Sequence, residues 1–327
     1  MNALNRIRYN KPSKLLYYFK SFLGYSLPKK IYQKKLIKTL ASFENREDKS
    51  YINKRVDYYN KLDLTGTPLV FKCIGAHKYK RQLKSVYFFD TYEYTRWFSD
   101  KLKWNYLEGD ITKVPEVPSI VKSRPIGGDN KNSVLLNLDK IRHFVFLKDD
   151  IAFADKLNKA IFRLAIYNKP HRIDFMKKYF GSSICDAGTI SKQSSIPLEW
   201  IKEEISLYDH LKYKFILAIE GNDVATNLKW IMSTNSIAVM PRPTFETWFM
   251  EGKLIPDYHY IEIKSDYSDL EDRLNYFITH TDKAEAIIAN AHRYISQFKD
   301  KKREKLISLL VLQKYFVMTG QHPLQTD

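Results

Sequence analysis

The segment KYKFILAIEGNDVATNLKWIMSTNSIAVMPRP, running from Lys212 to Pro243, constrains the fold more than any other part of the chain. An apolar run of strand length leads into a polar turn at EGND (220–223), then a helical stretch over 224–233, then a second apolar run over 236–240. Two fully apolar strands with a helix between them belong to a parallel sheet, because only a crossover brings the chain back in the same direction. HYIEIKSDYSDLEDRLNYFI (259–278) repeats strand, loop and helix, with Ser265 or Ser268 as the N-cap. Upstream, KAIFRLAIYNKPHR (159–172) reads as a strand entering a loop, IDFMKKYF (173–180) as a helix and SSICDAG (182–188) as a strand. PLEWIKEEISLYDHL (197–211) reads as a helix, and the tail from Asp282 to Thr319 is helical by periodicity.

The first half is read in the same way. PLVFKCIGA (68–76) is a buried strand, and KSVYFFDTYEYTRWFSDKL (84–102) opens strand-like and turns helical. SIVKSRP (119–125) and KIRHFVFLKDD (140–150) are strands on either side of the polar loop IGGDNKN (126–132). Only 11 Gly and 12 Pro in 327 residues argue against a linker-rich chain. The expectation is an α/β protein of two Rossmann-like domains facing across a cleft. A basic amphipathic helical segment (1–45) precedes an N-terminal domain (46–155) and a C-terminal domain (156–300). A final helix (301–327) packs back on the first domain.

Charge narrows the partners. The net charge is +17, and residues 1–40 hold ten Lys or Arg and no acid, whereas the rest of the chain nets only +7. These cations alternate with Leu15, Leu16, Tyr17, Tyr18, Phe19, Phe22, Leu23, Ile31, Leu36 and Ile37, a pattern that suits anionic lipid headgroups. Nucleic acid draws on the same charge, but no helix-turn-helix, zinc module or RNP-type sequence accompanies it. A solvated helix pair packed on the first domain is the other reading. No run of 18 apolar residues is present to span a membrane, and the opening MNALNRIRYNKPSKLL lacks the apolar core of a signal peptide. Cys73 and Cys185 form no CxxC, so a reducing compartment is expected.

KYKFILAIEGNDVATNLKW, followed by SIAVMPRPTFETWFMEGKLIPDYHYIEIKSDYSDLEDRL, resembles the signature of glycosyltransferase family 90. YFFDTYEYTRWF, GDITKVPEVPSIVKSRPI and NSVLLNLDKIRHFVF resemble its bacterial lipopolysaccharide-modifying branch, and the resemblance runs from about residue 85 to 280. It implies a GT-B fold, a nucleotide-sugar donor, inversion at the anomeric carbon and no essential metal. VATNLK falls where the family has a small-residue run ending in Ser-x-Arg. Val224, Ala225, Thr226, Asn227 and Lys229 are thereby implied at the donor, with Asn227 for the Ser and Lys229 for the Arg. FRLAIYNKPHR falls on a segment that begins Phe-Arg-Gly and ends in a donor-contacting Arg. This implicates Arg163, Asn168 and Arg172, with Leu164 in place of the glycine. GDITKVP falls on the segment bearing the catalytic base, which implies Asp110, with Asp90 of YFFDTYEY as the alternative carboxylate on the acceptor side.

The residues themselves allow this chemistry. A diphosphate leaving group needs positive charge where negative charge develops. Arg163, Arg172, Lys229 and the backbone N–H groups after Gly221 are placed to supply it, although each cation also suits an ordinary surface ion pair. Glu220, Gly221 and Asn222 form the turn and are donor-binding candidates, with Gly221 free to take positive φ and Asn222 and Asp223 equally suited to capping. Glu246 in PTFETWFMEG suits either ribose hydroxyls or a helix dipole. Lys122, Ser123 and Arg124 are acceptor candidates. GxGxxG is absent, Asp149 and Asp150 are adjacent where a metal loop needs Asp-x-Asp, and His143, His171 and His259 are dispersed. The expected enzyme is an inverting hexosyltransferase moving glucose or a close relative from a UDP-sugar to a lipopolysaccharide-core or other surface glycan. UDP-sugar is its co-substrate, with no cofactor or metal and no nucleic-acid partner. It sits on the cytoplasmic face of the inner membrane through residues 1–40. A non-catalytic carbohydrate- or lipid-binding protein, or a basic nucleic-acid binder, is the alternative.

Overall fold

The computed structural model describes residues 13–63, 74–75, 85–192 and 196–324, so most of PLVFKCIGA lies outside the described residues. The chain divides into two compact units. Of the described residues, one comprises 143–243 and 253–297; the other takes 13–142 together with 244–252 and the C-terminal segment from 298. Contact, not chain order, decides this division. The short strand Phe245–Thr247 pairs antiparallel with Ser123–Pro125, and the helix Lys301–Met318 packs against the helix Lys49–Tyr59. Residues 143–155 group with the later unit, so the division lies nearer Arg142 than residue 155.

The first of these units is built on five parallel strands: Leu157–Leu164, Cys185–Thr189, Tyr213–Leu217, Ile237–Met240 and Ile261–Glu262. Numbered along the chain, they lie in the order 2-1-3-4-5. Ala160, Phe162, Phe215, Leu217, Ile237 and Val239 join one core cluster with the covering helices. Helix Pro170–Tyr179 buries Arg172, Phe175, Met176 and Tyr179, and helix Thr281–Ser296 buries Ala284, Ile287, Ile288, Ala291 and Ile295. Both sets follow the three-four spacing of a one-sided helix. The parallel α/β reading of this half is thus correct.

Several elements differ from expectation. Ser85–Thr95 is helical from its first residue. Its aromatic, β-prone composition is overridden by tertiary packing, which buries Tyr87, Phe89, Asp90, Thr91, Tyr92, Tyr94 and Thr95 on several sides of the helix. KIRHFVFLKDD forms the short helix Lys140–His143 and then an unpaired run. Burial still alternates through Val145 and Leu147, but the Leu147 N–H donates to Ser233 Oγ at 2.8 Å and finds no ladder. PLEWIKEEISLYDHL forms no continuous helix: after a 3-10 turn over Leu198–Trp200, Ile201 bridges the edge residue Thr189, and α-helix returns only over Leu207–His210, opened by a Ser206–Asp209 capping box. The helix expected over 224–233 shortens to Leu228–Ile231. Helix Leu270–Thr279 starts after Asp269, not after Ser265 or Ser268, and the Asp269 carboxylate accepts from the Lys264 N–H at 2.8 Å. SIVKSRP breaks into Ser119–Val121, parallel to Ser133–Leu135, and Ser123–Pro125.

The other unit is mainly helical, with the helices Lys14–Ser26, Lys29–Ala41, Lys49–Tyr59, Ser85–Thr95 and Lys301–Met318. A buried polar knot ties its segments together. Arg55 donates to both oxygens of Glu304 at 2.5 and 3.0 Å, and Trp248 Nε1 donates to the same carboxylate at 2.6 Å. Tyr59 stacks on Trp248 with ring centroids 3.8 Å apart. Removing one partner from such a group leaves an uncompensated buried charge, so the knot specifies how these segments come together.

Candidate functional site

The 2-1-3-4-5 order creates a switch point between the first and third strands. Their outgoing connections diverge there and leave a crevice beyond the carboxyl ends, the usual ligand position in an open α/β sheet. Two loops meet at that edge, residues 165–172 after the first strand and 218–227 after the third. Arg172 ties them together. Its Nη1 donates to the Ala165 carbonyl at 2.7 Å, its Nη2 to Ile219 at 2.6 Å and its Nε to Glu220 at 2.9 Å. The Glu220 carbonyl is shared with His171 Nε2 at 2.8 Å. Burial pulls the Arg172 guanidinium down to about 10, which leaves it cationic at neutral pH.

Around this clamp the backbone is shaped for a ligand. Asn168 holds φ at +49°, a left-handed turn that Asn tolerates, and it stands exposed beside Lys169, whose ammonium reaches Asn222 Oδ1 at 2.9 Å. Ser191 Oγ accepts from the Ile166 N–H at 2.8 Å and fixes the start of the loop. Pro170 then opens its helix with no acidic residue in the first turn. Pro170 has no N–H, and the N–H groups of Arg172 and Ile173 donate to the Lys169 carbonyl at 3.0 and 3.1 Å, so Lys169, Arg172 and the positive end of the helix dipole make this edge anion-accepting. Gly221 is in this edge but does not take the positive φ expected of it; the left-handed residue is Asn168.

Five of the implied donor residues, Asn168, Arg172, Glu220, Gly221 and Asn222, thus come together. Asn227 lies nearby, its side-chain amide donating to the Leu217 carbonyl at 2.9 Å, and Val224 and Ala225 are buried just before it, with Thr226 half-buried. Lys229, by contrast, is wholly buried in the short helix. Arg163 is a second departure. By strand alternation it projects from the face opposite Ala160 and Phe162, and its Nη2 pairs with Asp186 Oδ1 at 3.0 Å. Against the burial that would raise it, the Tyr213 hydroxyl and the Lys202 and Arg163 cations hold the Asp186 carboxyl down at about 2. The sequence reading missed Lys169 and Ser191; the signal for Lys169 was its place directly before the helix-opening Pro170.

In the helical unit, Asp110 follows Gly109, whose φ is +91°, and its half-exposed carboxylate accepts from Lys122 Nζ at 2.7 Å. The neighbouring Ser123 Oγ accepts from the Ile111 N–H at 3.1 Å, which fixes the turn carrying Asp110. The remaining acceptor candidates have structural partners. Arg124 is fully buried and donates to Glu246 Oε1 at 2.8 Å and to the carbonyls of Tyr58, Tyr59 and Ser133. Glu246 is not in a first helical turn: it lies on a strand directly opposite Arg124, with Tyr58 on its second oxygen. Asp90 is buried mid-helix, where it accepts from the Tyr17 hydroxyl at 2.8 Å and the Lys140 N–H at 2.9 Å. Burial pushes its carboxyl up, against the opposing charge of Lys140. Among the described residues no three His, Cys, Asp or Glu side chains gather as metal ligands, and no helix is long and apolar enough to cross a membrane.

A five-stranded parallel sheet with a cationic carboxyl edge defines an open α/β unit of the kind that takes its ligand at that edge. The model of glycosyl transferase family 90 matches residues 139–318, and the chain belongs to that family; it is a glycosyltransferase. It is 39% identical over 272 residues to the O-glucosyltransferase LpsA of Dichelobacter nodosus, an alignment covering 83% of this chain and 84% of that protein. A shorter stretch of 85 residues is 27% identical to Protein O-glucosyltransferase 2 of Danio rerio, covering 26% of this chain and 17% of the relative.

Proposed function

We propose that the protein is an inverting, UDP-sugar-dependent hexosyltransferase, with glucose as the sugar and a lipopolysaccharide-core or related surface glycan as acceptor. The observation that carries this reading is the pair of loops clamped by Arg172 at the sheet's switch point, with Asn168 and Asn222 exposed and Lys169 half-buried beside a helix start. Such an edge suits a nucleoside diphosphate, with Lys169 and the positive end of the helix dipole taking the charge that develops on the leaving phosphate. The name of the Dichelobacter nodosus relative, an O-glucosyltransferase, supports glucose as the sugar. In this reading the chain is a GT-B enzyme whose sheet-bearing unit holds the donor.

The acceptor hydroxyl oxygen bonds to the anomeric carbon as the bond from that carbon to the β-phosphate oxygen of UDP breaks. Its proton passes to Asp110. What supports Asp110 is a half-exposed position on the Gly109 turn and a lysine that fixes one carboxylate oxygen. Cations already present at the donor edge make a metal unnecessary, and residues 1–40 hold the enzyme on the cytoplasmic face of the inner membrane. The test is a panel of UDP-sugars with core oligosaccharide, read as released UDP with and without excess EDTA. Transfer from UDP-glucose that stays within a few-fold under EDTA is expected. Complete loss restored by Mn²⁺ refutes the metal-free reading, and no transfer from any UDP-sugar refutes the donor.

A further inference from the structure

Helix Lys14–Ser26 presents its apolar side outward. Its docked side is polar and aromatic: Tyr17 donates to Asp90, the Tyr18 and Ser85 hydroxyls lie 3.2 Å apart, and Arg96 Nη1 donates to the Gly24 carbonyl at 2.8 Å. The Tyr25 ring packs on Phe88 and Tyr92 at 5.7 and 5.0 Å. Leu15, Leu16, Phe19 and Leu23 recur at helical spacing along the opposite side, and Phe22 borders it, with its ring edge-on to Phe89 at 4.9 Å. Leu15 is 82% exposed, Phe19 63%, and Phe22 and Leu23 58% each, and no residue of the helix is buried. The adjoining helix Lys29–Ala41 buries Leu36 and Leu40 and leaves Ile31, Lys34, Lys35 and Lys38 exposed. No Asp or Glu occurs between residues 13 and 43.

A free amphipathic helix would turn such a stripe inward; here specific hydrogen bonds hold it facing out. Contiguous exposed apolar surface of this kind marks an interaction site. We infer that this face docks on an anionic bilayer leaflet, the stripe entering the headgroup–acyl boundary and Lys20, Lys34, Lys35 and Lys38 meeting lipid phosphates. A second copy fits less well, because two-fold pairing would set each lysine row against its own duplicate. The inference deepens the membrane-peripheral reading above and rests on it only for where the acceptor is met.

The test uses full-length protein sedimented with vesicles of equal parts phosphatidylcholine and phosphatidylglycerol, and of phosphatidylcholine alone. The wild type is expected to bind the mixed vesicles and to be largely released by high salt. Combining Leu16→Gln, Phe19→Gln and Leu23→Gln should lower the partition coefficient by about 100-fold. Combining Lys34→Ala, Lys35→Ala and Lys38→Ala should lower it by about 10- to 100-fold at low salt and little at high salt. Both variants should keep the wild-type melting temperature and transfer to a soluble core oligosaccharide. Wild-type vesicle binding by the glutamine variant overturns the inference. So does a dimer in analytical ultracentrifugation that this variant dissolves, since a second copy then covers the face. If the wild type binds vesicles but transfers no hexose to the soluble acceptor, the docking surface stands and the proposed donor or acceptor falls.

Discussion

Replacing Arg172 tests whether the donor edge depends on a guanidinium fork or merely on a positive charge. In Arg172→Lys one ammonium stands where three nitrogens donated to Ala165, Ile219 and Glu220. Glu220 keeps its bond from His171, so two carbonyls are at risk. Ile219 is buried, and leaving its carbonyl unsatisfied costs about 1–3 kcal/mol. The Ala165 carbonyl is only partly buried and adds about 0.5–1.5 kcal/mol. A lysine recovers one of these bonds at best, so Arg172→Ala should lose about 2–4 kcal/mol and Arg172→Lys about 1–3 kcal/mol. Urea unfolding followed by circular dichroism measures the loss. Titration calorimetry with UDP should show affinity falling at least about tenfold in both variants, because the two loops are no longer held together. Wild-type stability and UDP affinity in Arg172→Lys would refute the fork argument and return Arg172 to the role of a simple phosphate cation.

Asp110→Asn should cut transfer by about 10²–10⁴-fold while leaving UDP affinity intact; near-normal turnover in a coupled UDP-release assay moves the base elsewhere. Gly188→Ala would put a Cβ 1.9 Å from Arg163 Nη1 and 2.7 Å from Lys202 Cδ. It should therefore destabilise by about 1–3 kcal/mol in urea unfolding, and an unchanged midpoint would show that Arg163 moves away freely. Burial lowers the pKa of His259 below the ordinary 6.5, and its Nδ1 accepts from the Ile255 N–H at 2.9 Å. The unfolded chain then protonates first as pH falls through 6.5, so the stability this group contributes is whole above that pH and is lost as pH falls toward the depressed folded value. His259→Asn keeps an acceptor for Ile255 and should flatten that part of the acid loss; an unchanged pH slope in urea titrations would refute the assignment.

The parallel sheet was legible because its signal is local. Apolar runs such as those over 213–217 and 237–240, with a polar turn between them, satisfy no other arrangement as well. The loop IGGDNKN and the helix beginning at Pro170 were legible for the same reason, since turn residues and an N1 proline act on their own backbone. KIRHFVFLKDD was misread because periodicity reports burial and not hydrogen-bond partners. Its residues alternate as a strand's do, yet among the described residues no strand pairs with them.

Among site residues, the sequence by itself determined the chemistry available and its grouping around two loops. Asn168, Arg172, Glu220, Gly221 and Asn222 were identified from their segments, and the order of the strands then brought those segments to one edge. The roles of individual charges were decided by tertiary structure alone. A guanidinium in a sequence is equally a phosphate ligand, a surface cation or a buried clamp, because its free energy depends on which oxygens surround it and how much water is excluded. Arg124 faces Glu246 from 122 residues away, and Arg172 faces carbonyls 47 and 48 residues away. Only the folded chain brings those oxygens within bonding distance, and so only the fold separates the arginines that hold the protein together from those left to meet a ligand.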